Sequence, residues 1–194
     1  MSRNDSIRTF ICIEISREVR HQIDVLQDRL RRSGADVSWV RPANIHLTLK
    51  FLGNVPKSRI GTVCSAVQEA VQGQKAFPIE VRETGCFPSS RSPRVIWVGV
   101  NSPLDALKHV QTAIETSLER VGFAKERRPF SPHLTLGRMK SQRNVGRLTT
   151  ALTDEEFEAI TFQATEVVVM QSDLHPTGAV YSSLAIIPLL KPGD

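Results

Sequence analysis

A chain that carries one strand motif twice is constrained to fold as a repeat. The tetrapeptide His46-Leu47-Thr48-Leu49 returns as His133-Leu134-Thr135-Leu136, 87 residues further on, in a chain of 194 residues with five histidines. From average composition, the chance that another histidine here is followed by Leu-Thr-Leu is on the order of one in several hundred. Each copy alternates polar and apolar residues, the period of a half-buried strand. On a strand, each His shares a face with its Thr, and the leucines point the other way, toward a core. The chain therefore presents two His/Thr pairs from two strands. Two imidazoles in one cleft can do acid and base chemistry together.

The offset of 87 holds outside the motif. Phe10-Ile11-Cys12-Ile13 falls on Trp97-Val98-Gly99-Val100, which predicts strands over 9–15 and 94–100. Each leads into a helix. The first starts near Ser16 and carries Val19, Ile23, Leu26 and Leu30 as its apolar stripe. The second has Ser102 as N-cap and Pro103 at the first helical position, then Leu107, Val110, Ile114, Leu118 and Val121. Gly34 and Gly122 are placed to end them. Pro42 and Pro132 precede the two motif strands. A helix over 57–72 follows the first motif, with Ile60, Val63, Cys64, Val67 and Val71 inward; its counterpart over 145–158 is weaker and interrupted. Apolar strands over 77–81 and 166–170 close the halves, Val81 matching Val168, and a last strand covers 180–188.

The halves read β-α-β-α-β twice, which predicts an α+β fold of two pseudo-twofold-related lobes. Each lobe is expected to be a small antiparallel-type sheet with helices on its outer face. A central cleft between them is lined from both sides by the motifs. Repeat 1 covers about 8–88 and repeat 2 about 94–190. Residues 89–93 (Ser-Ser-Arg-Ser-Pro) read as a turn rather than a tether, so 1–194 is expected to form a single compact bilobal domain.

Composition excludes some classes. With 40% hydrophobic and 23% charged residues, the chain is not wholly disordered. A net charge of +5 and a sequence pI of about 9.4 favour polyanionic partners such as RNA. The three cysteines, Cys12, Cys64 and Cys86, form no CxxC or Cys/His spacing for zinc; Cys12 and Cys64 read as small buried hydrophobes, which suits a reducing cytoplasm. The polar stretch Met1 to Thr9 has no signal-peptide core, and no apolar run reaches membrane-span length.

A neutral imidazole can take a proton from a nucleophile, and an imidazolium can give one to a leaving oxygen. A pair on opposite sides of a phosphorus suits in-line displacement. Thr48 and Thr135 are placed to donate hydrogen bonds to non-bridging phosphate oxygens. A single His-x-Thr strand is more often structural than catalytic. Two copies at matching places reverse that, because a structural repeat would keep the leucines and let the polar face vary. Lys50 follows on the same face under strict alternation and could neutralise phosphate; a solvated rim lysine is the equal alternative. Arg138 falls with the leucines unless a bulge follows Gly137. Phe130, Trp39 and Tyr181 could stack a terminal base, although core aromatics are commoner. Arg127, Arg128 and the stretch from Arg138 to Arg147 add positive charge near the second motif. His21 and His109 lie on expected helices and read as structural, and His175 sits in a Pro/Gly turn. The motifs lack the Asp, Glu or further His that would complete a metal shell, so no metal or cofactor is expected. An RNA-binding module without chemistry would favour Arg and Lys over intact His/Thr pairs.

The paired motif resembles the signature of the two-histidine phosphoesterase superfamily. Asn44-Ile45-His46-Leu47-Thr48-Leu49-Lys50-Phe51-Leu52-Gly53 is similar to the first motif of the bacterial and archaeal RNA 2′,3′-cyclic phosphodiesterases, also called 2′-5′ RNA ligases. Arg128-Pro129-Phe130-Ser131-Pro132-His133-Leu134-Thr135-Leu136-Gly137-Arg138 is similar to the second. Arg94 to Gly99 and Leu174 to Tyr181 fit as well, so the resemblance runs from Arg8 to about Leu189 with no departure at the motif positions. It implies the bilobal α+β fold and opening of a terminal RNA 2′,3′-cyclic phosphate to a 2′-phosphomonoester. It also implies, for some members, ATP-independent 2′-5′ joining of tRNA halves. By resemblance His46 is the proton donor and His133 the proton acceptor; Lys50, Phe130, Arg138 and Tyr181 are the candidate substrate contacts. A cytoplasmic monomer acting on RNA ends is expected. Small cyclic nucleotides and 2′-5′ oligoadenylate are the alternative substrates within the superfamily.

Overall fold

The computed structural model describes residues 5–102, 104–176 and 178–191. The capping read for the Ser102 side chain and Pro103, the Thr177 position of the late motif and residues 1–4 lie outside what is described. Strand β1 (Ser6–Glu14) sends Ile11 and Ile13 to one face and Phe10 and Cys12 to the other. Ser16 then caps α1 (Arg17–Arg31), its hydroxyl accepting the Val19 N–H at 3.2 Å. This satisfies one of the donors a helix start leaves open. Val19, Ile23, Leu26 and Leu30 recur at helical spacing and are buried. Gly34, at φ +66°, takes the left-handed conformation that turns the chain away after α1.

The remaining elements are β2 (Val37–Trp39), β3 (His46–Pro56), α2 (Ile60–Val71), β4 (Phe77–Phe87), β5 (Val95–Ser102) and α3 (Leu104–Arg120). They are followed by β6 (His133–Met139), α4 (Val145–Asp154), β7 (Ile160–Ala164), β8 (Glu166–His175) and β9 (Gly178–Pro188). The helix read over 57–72 opens as a 3-10 turn, Lys57–Arg59, before α2. The weak helix after the second motif stops at Asp154; residues 155–159 are irregular and lead into β7, which the pattern does not predict. Residues 88–94 form an irregular turn between β4 and β5.

Among the described residues, nine strands build one antiparallel sheet in the order β7-β4-β5-β6-β3-β1-β8-β9, with β2 on β6. At its centre Leu47 of β3 faces Leu134 of β6. These are the same residue of the two repeats, so the pseudo-twofold relation passes between them. Outward on one side the order is β3-β1-β8; on the other it is β6-β5-β4. The two sequence repeats and the two sides of the sheet do not coincide. β4, the closing strand of repeat 1, lies on β5 of repeat 2, and β8, the closing strand of repeat 2, lies on β1 of repeat 1. Each repeat therefore lends its third strand to the other side.

The helices cover one face. α2 packs beside α3 and α1 beside α4, over a core that includes Leu47, Leu49, Leu134 and Leu136, each at most 3% exposed. Burying such side chains supplies about 1.5–3 kcal/mol apiece. This explains why both motif copies keep their leucines. The opposite face carries a small cluster of Phe10, Cys12, Val168 and Met170, with Tyr181 packed on it. That cluster floors the cleft. No helix among the described residues is long and apolar enough to cross a membrane.

Candidate active site

His46, Thr48, His133 and Thr135 line one cavity of about 530 Å³ on the helix-free face, within the size range of small-ligand sites. The two motif strands meet only at the Leu47–Leu134 position among the described residues. Beyond it they part, and β2 pairs with β6 in place of β3.

Both histidines are held alike. His46 Nδ1 lies 2.8 Å from the Asn44 carbonyl oxygen and His133 Nδ1 2.8 Å from the Ser131 carbonyl oxygen, each two residues upstream. A carbonyl only accepts, so Nδ1 carries the hydrogen in both rings and Nε2 is left for the cleft. The turn Pro42–Asn44, begun by the proline read in the sequence, presents the first carbonyl, and the Asn44 amide is tied to the Ala179 carbonyl at 2.7 Å. Ser131 and Pro132 lead directly into β6 and present the second. The surroundings of the rings then diverge. His46 stacks on Phe10 (centroids 4.6 Å apart) and meets the edge of Tyr181 at 5.4 Å. Burial pushes its pKa below 6.5, against the opposing pull of the Asn44 carbonyl. His133 meets Phe87 edge-on at 5.1 Å.

A bulge in each motif strand decides what comes next. Ile11 faces Lys50 and Cys12 faces Thr48, which leaves Leu49 as the extra residue in β3. Ile96 faces Gly137 and Trp97 faces Thr135, which leaves Leu136 as the extra residue in β6. The two bulged leucines again stand 87 apart. A bulge shifts the alternation by one residue. Arg138 is thereby moved into the cavity, one residue earlier than the bulge considered from the sequence. Gly137 fits because β2 crosses closely there: a Cβ on it would stand 2.6 Å from Val37 Cγ1.

The same device overturns the expectation for Lys50. The bulge turns Lys50 to the helix face, where it is 6% exposed and paired with Glu115 of α3 at 2.5 Å. Phe51 takes the cleft position instead. It is 48% exposed, lines the cavity and has the Arg8 guanidinium 4.5 Å above its ring. Tyr181 lies where expected, on the cavity wall. Phe130 does not: it is half-buried and packs on the helix-side core, because the chain before Pro132 has not yet joined the sheet. Trp39 also packs on that core, with Arg31 at 5.6 Å from its ring. His21, His109 and His175 are exposed and outside the cavity. Arg127, Arg128, Lys140, Arg143 and Arg147 are exposed. Arg8 and Phe51 were missed. Arg8 could have been found, since it alternates with Phe10 and Cys12. Phe51 could not, because its face depends on the bulge.

Cys12, Cys64 and Cys86 are free thiols, and burial raises the pKa of each. Among the described residues no three His, Cys, Asp or Glu side chains stand together as a metal site.

A pseudo-symmetric α+β sheet with one His-x-Thr strand from each repeat in a shared cleft is the arrangement of a two-histidine phosphoesterase. The model of the family described as LigT like phosphoesterase matches twice, over residues 13–97 and 98–181, each span holding one motif. The chain belongs to that family. A Methanothermobacter thermautotrophicus protein named RNA 2′,3′-cyclic phosphodiesterase is 31% identical over 184 residues, covering 94% of this chain and 99% of the relative. A Thermotoga maritima protein of the same name is 33% identical over 178 residues, covering 92% and 93%. Among solved structures, E. coli LigT complexed with 3′-AMP shares the fold at a TM-score of 0.75, with 24% identity and coverage of 95% and 99%. A crystal structure from Thermus thermophilus does so at 0.77, with 22% identity and coverage of 94% and 98%.

Proposed function

We propose that the chain hydrolyses a terminal RNA 2′,3′-cyclic phosphate to a 2′-phosphomonoester, with His46 and His133 exchanging the protons. The observation that carries this reading is the matched pair of imidazoles, each pinned through Nδ1 and open at Nε2, in one cavity with two threonine hydroxyls. Relatives named RNA 2′,3′-cyclic phosphodiesterase at about this length support the substrate class. Water attacks phosphorus in line with the bond to O3′. His133 Nε2 takes the water proton as the P–O bond forms. His46 Nε2–H gives its proton to O3′ as that bond breaks, which leaves the phosphate on O2′. The donor and acceptor roles follow the family resemblance. Burial favours neutral His46 in the free protein, and the anionic phosphate favours its imidazolium on arrival. Thr48 and Thr135 donate to the non-bridging oxygens, Arg138 and Arg8 balance the charge, and Phe51 and Tyr181 offer rings to a base. A 5′-hydroxyl in the place of water would give 2′-5′ joining of RNA ends, tRNA halves included, by the same proton transfers. The cleft is complete within one chain, which supports a monomer, and the free thiols suit a reducing cytoplasm. The exchanged strands support one folding unit over both repeats.

The test is incubation with an oligoribonucleotide ending in a 2′,3′-cyclic phosphate, with EDTA present and the product phosphates resolved. A 2′-phosphate is expected. A 3′-phosphate, or activity that vanishes with EDTA and returns with zinc or magnesium, contradicts the mechanism.

The pH dependence has a defined sign. One histidine must be neutral and the other protonated, so kcat/KM is expected to be bell-shaped, with limbs that belong to the pair. The acid limb follows the lower of the two pKa values. Burial holds His46 below 6.5, so that limb is expected below 6.5 whichever histidine is the donor. Phe10→Ala, which opens the stacked face of His46, should move the limb upward. An acid limb above 6.5 in the unaltered protein contradicts this account.

A further inference from the structure

Among the described residues β3 and β6 pair only at Leu47–Leu134, one residue past each histidine. The chain on the other side of His133, the lead-in to β6, therefore also bears on how His133 stands relative to His46. Three residues past Leu47 on β3 comes Lys50, already described as buried away from the cleft. Its Nζ donates to Glu115 Oε2 at 2.5 Å and to the Ala124 carbonyl at 2.8 Å. The same Glu115 oxygen accepts the Glu126 N–H at 3.2 Å, and Oε1 accepts from Gln111 Nε2 at 3.3 Å. Ala124 and Glu126 belong to the irregular segment 121–132 that delivers Ser131 and His133. One buried polar network thus joins β3 at its bulge, α3, and the lead-in to the second motif.

We propose that Lys50 and Glu115 are positioning residues that clasp the 121–132 segment to β3 and so fix the separation of the two histidines. The argument is one of alternatives. A buried ion pair is weak evidence for stability, since apolar residues of similar volume often serve as well. This pair, however, also satisfies two backbone groups of a segment with no regular structure, which apolar residues could not do. Its place beneath the bulge means that the shift sending Phe51 into the cleft also sends the ammonium to Ala124. Acid–base transfer needs reacting atoms within about 3–3.5 Å, and a misplacement of about 1 Å can cost about 10²-fold. Losing the clasp is therefore expected to act on turnover more than on binding. The kinetic part rests on the phosphodiesterase reading; the clasp itself does not.

Removing one partner alone leaves a buried charge and could unfold the protein, so two double variants are compared. Lys50→Met with Glu115→Leu removes the polar contacts that these two side chains make to the segment, at the Ala124 carbonyl and the Glu126 N–H. Lys50→Met with Glu115→Gln keeps an acceptor for the Glu126 N–H. Melting temperature, kcat and KM on a cyclic-phosphate oligonucleotide, and trypsin cleavage after Lys125 and Arg127 are measured for each. The leucine variant is expected to melt cooperatively and to lose about tenfold or more in kcat, with KM within about threefold. Its segment should be cut about tenfold faster or more. The glutamine variant is expected to recover most of the kcat and the trypsin resistance. Wild-type kcat and cleavage rate in a folded leucine variant would overturn the proposal. So would a kcat loss equal to the unfolded fraction, or equal losses in both variants. An unaltered protein without cyclic phosphodiesterase activity would count against the proposed function alone, and the trypsin comparison would still decide the clasp.

Discussion

Replacing His46 or His133 with alanine is expected to lower kcat by about 10²-fold or more, with the fold intact. The geometry gives the reason. Each ring is fixed by one hydrogen bond from Nδ1 to a carbonyl two residues upstream, so Nε2 is the atom each ring offers to the cleft. Among the described residues neither nitrogen has a substitute in the cavity, where the other titratable groups are Arg8, Arg138 and Tyr181. Arginine stays protonated, and burial raises the Tyr181 pKa above its ordinary 10. The double variant should lose much less than the product of the two single losses, because one proton donor without its acceptor partner is already idle. Circular dichroism must show both single variants folded. Near-normal turnover in either folded variant would falsify the assignment. His46→Ala carries one added cost, the loss of a ring that stacks on Phe10 and meets Tyr181 edge-on, so its melting temperature should fall more than that of His133→Ala.

Thr48→Ala and Thr135→Ala are expected to be the next largest, each losing about 2–4 kcal/mol of transition-state stabilisation if the hydroxyl acts like an oxyanion-hole donor. Negative charge grows on the non-bridging oxygens as phosphorus becomes five-coordinate. A hydroxyl aimed at that charge is worth more there than in the ground state, so kcat should carry most of the loss. A threonine suits the role better than lysine in this cleft, since a cation between two imidazoles would hold both in the neutral form. Thr48→Ser and Thr135→Ser keep the donor and should recover most of the rate. Serine variants as slow as the alanine ones would show that the methyl, and therefore packing, is what matters.

What could be read from the chain alone depended on whether a property was local. The motif strands, the Ser16 cap and the α1 stripe are written in neighbouring residues, and they stand where periodicity put them. The fold class followed from the repeat. Strict alternation failed at Lys50 and left Arg138 conditional, because a bulge is a relation between two strands. Nothing within Leu49-Lys50-Phe51 says that β1 opposes only two of the three. In the sequence Phe130 reads as an aromatic that could stack a terminal base. Its ring is instead drawn to the helix-side core by apolar neighbours that are remote in the chain. The three-residue strand β2 is too short for any period to register; it exists because β6 has a free edge where β3 departs and Gly137 allows the approach.

The crossing of β4 and β8 has a consequence for either repeat taken alone. By the pseudo-twofold relation, β4 is to β5 what β8 is to β1. A polypeptide holding repeat 1 alone would carry β4 with no β5 to lie on and β1 with no β8 beside it. Two copies would cure each other's deficit, β4 of each lying on β1 of the other, with one His-x-Thr strand from each in a shared cleft. In the single chain the two copies differ at one cleft position: repeat 1 places an aromatic ring, Phe51, where repeat 2 places a cation, Arg138. A fragment spanning residues 5–93 is therefore expected to elute as a dimer or as aggregate on size exclusion. A folded monomeric half would contradict this dependence of each repeat on the other.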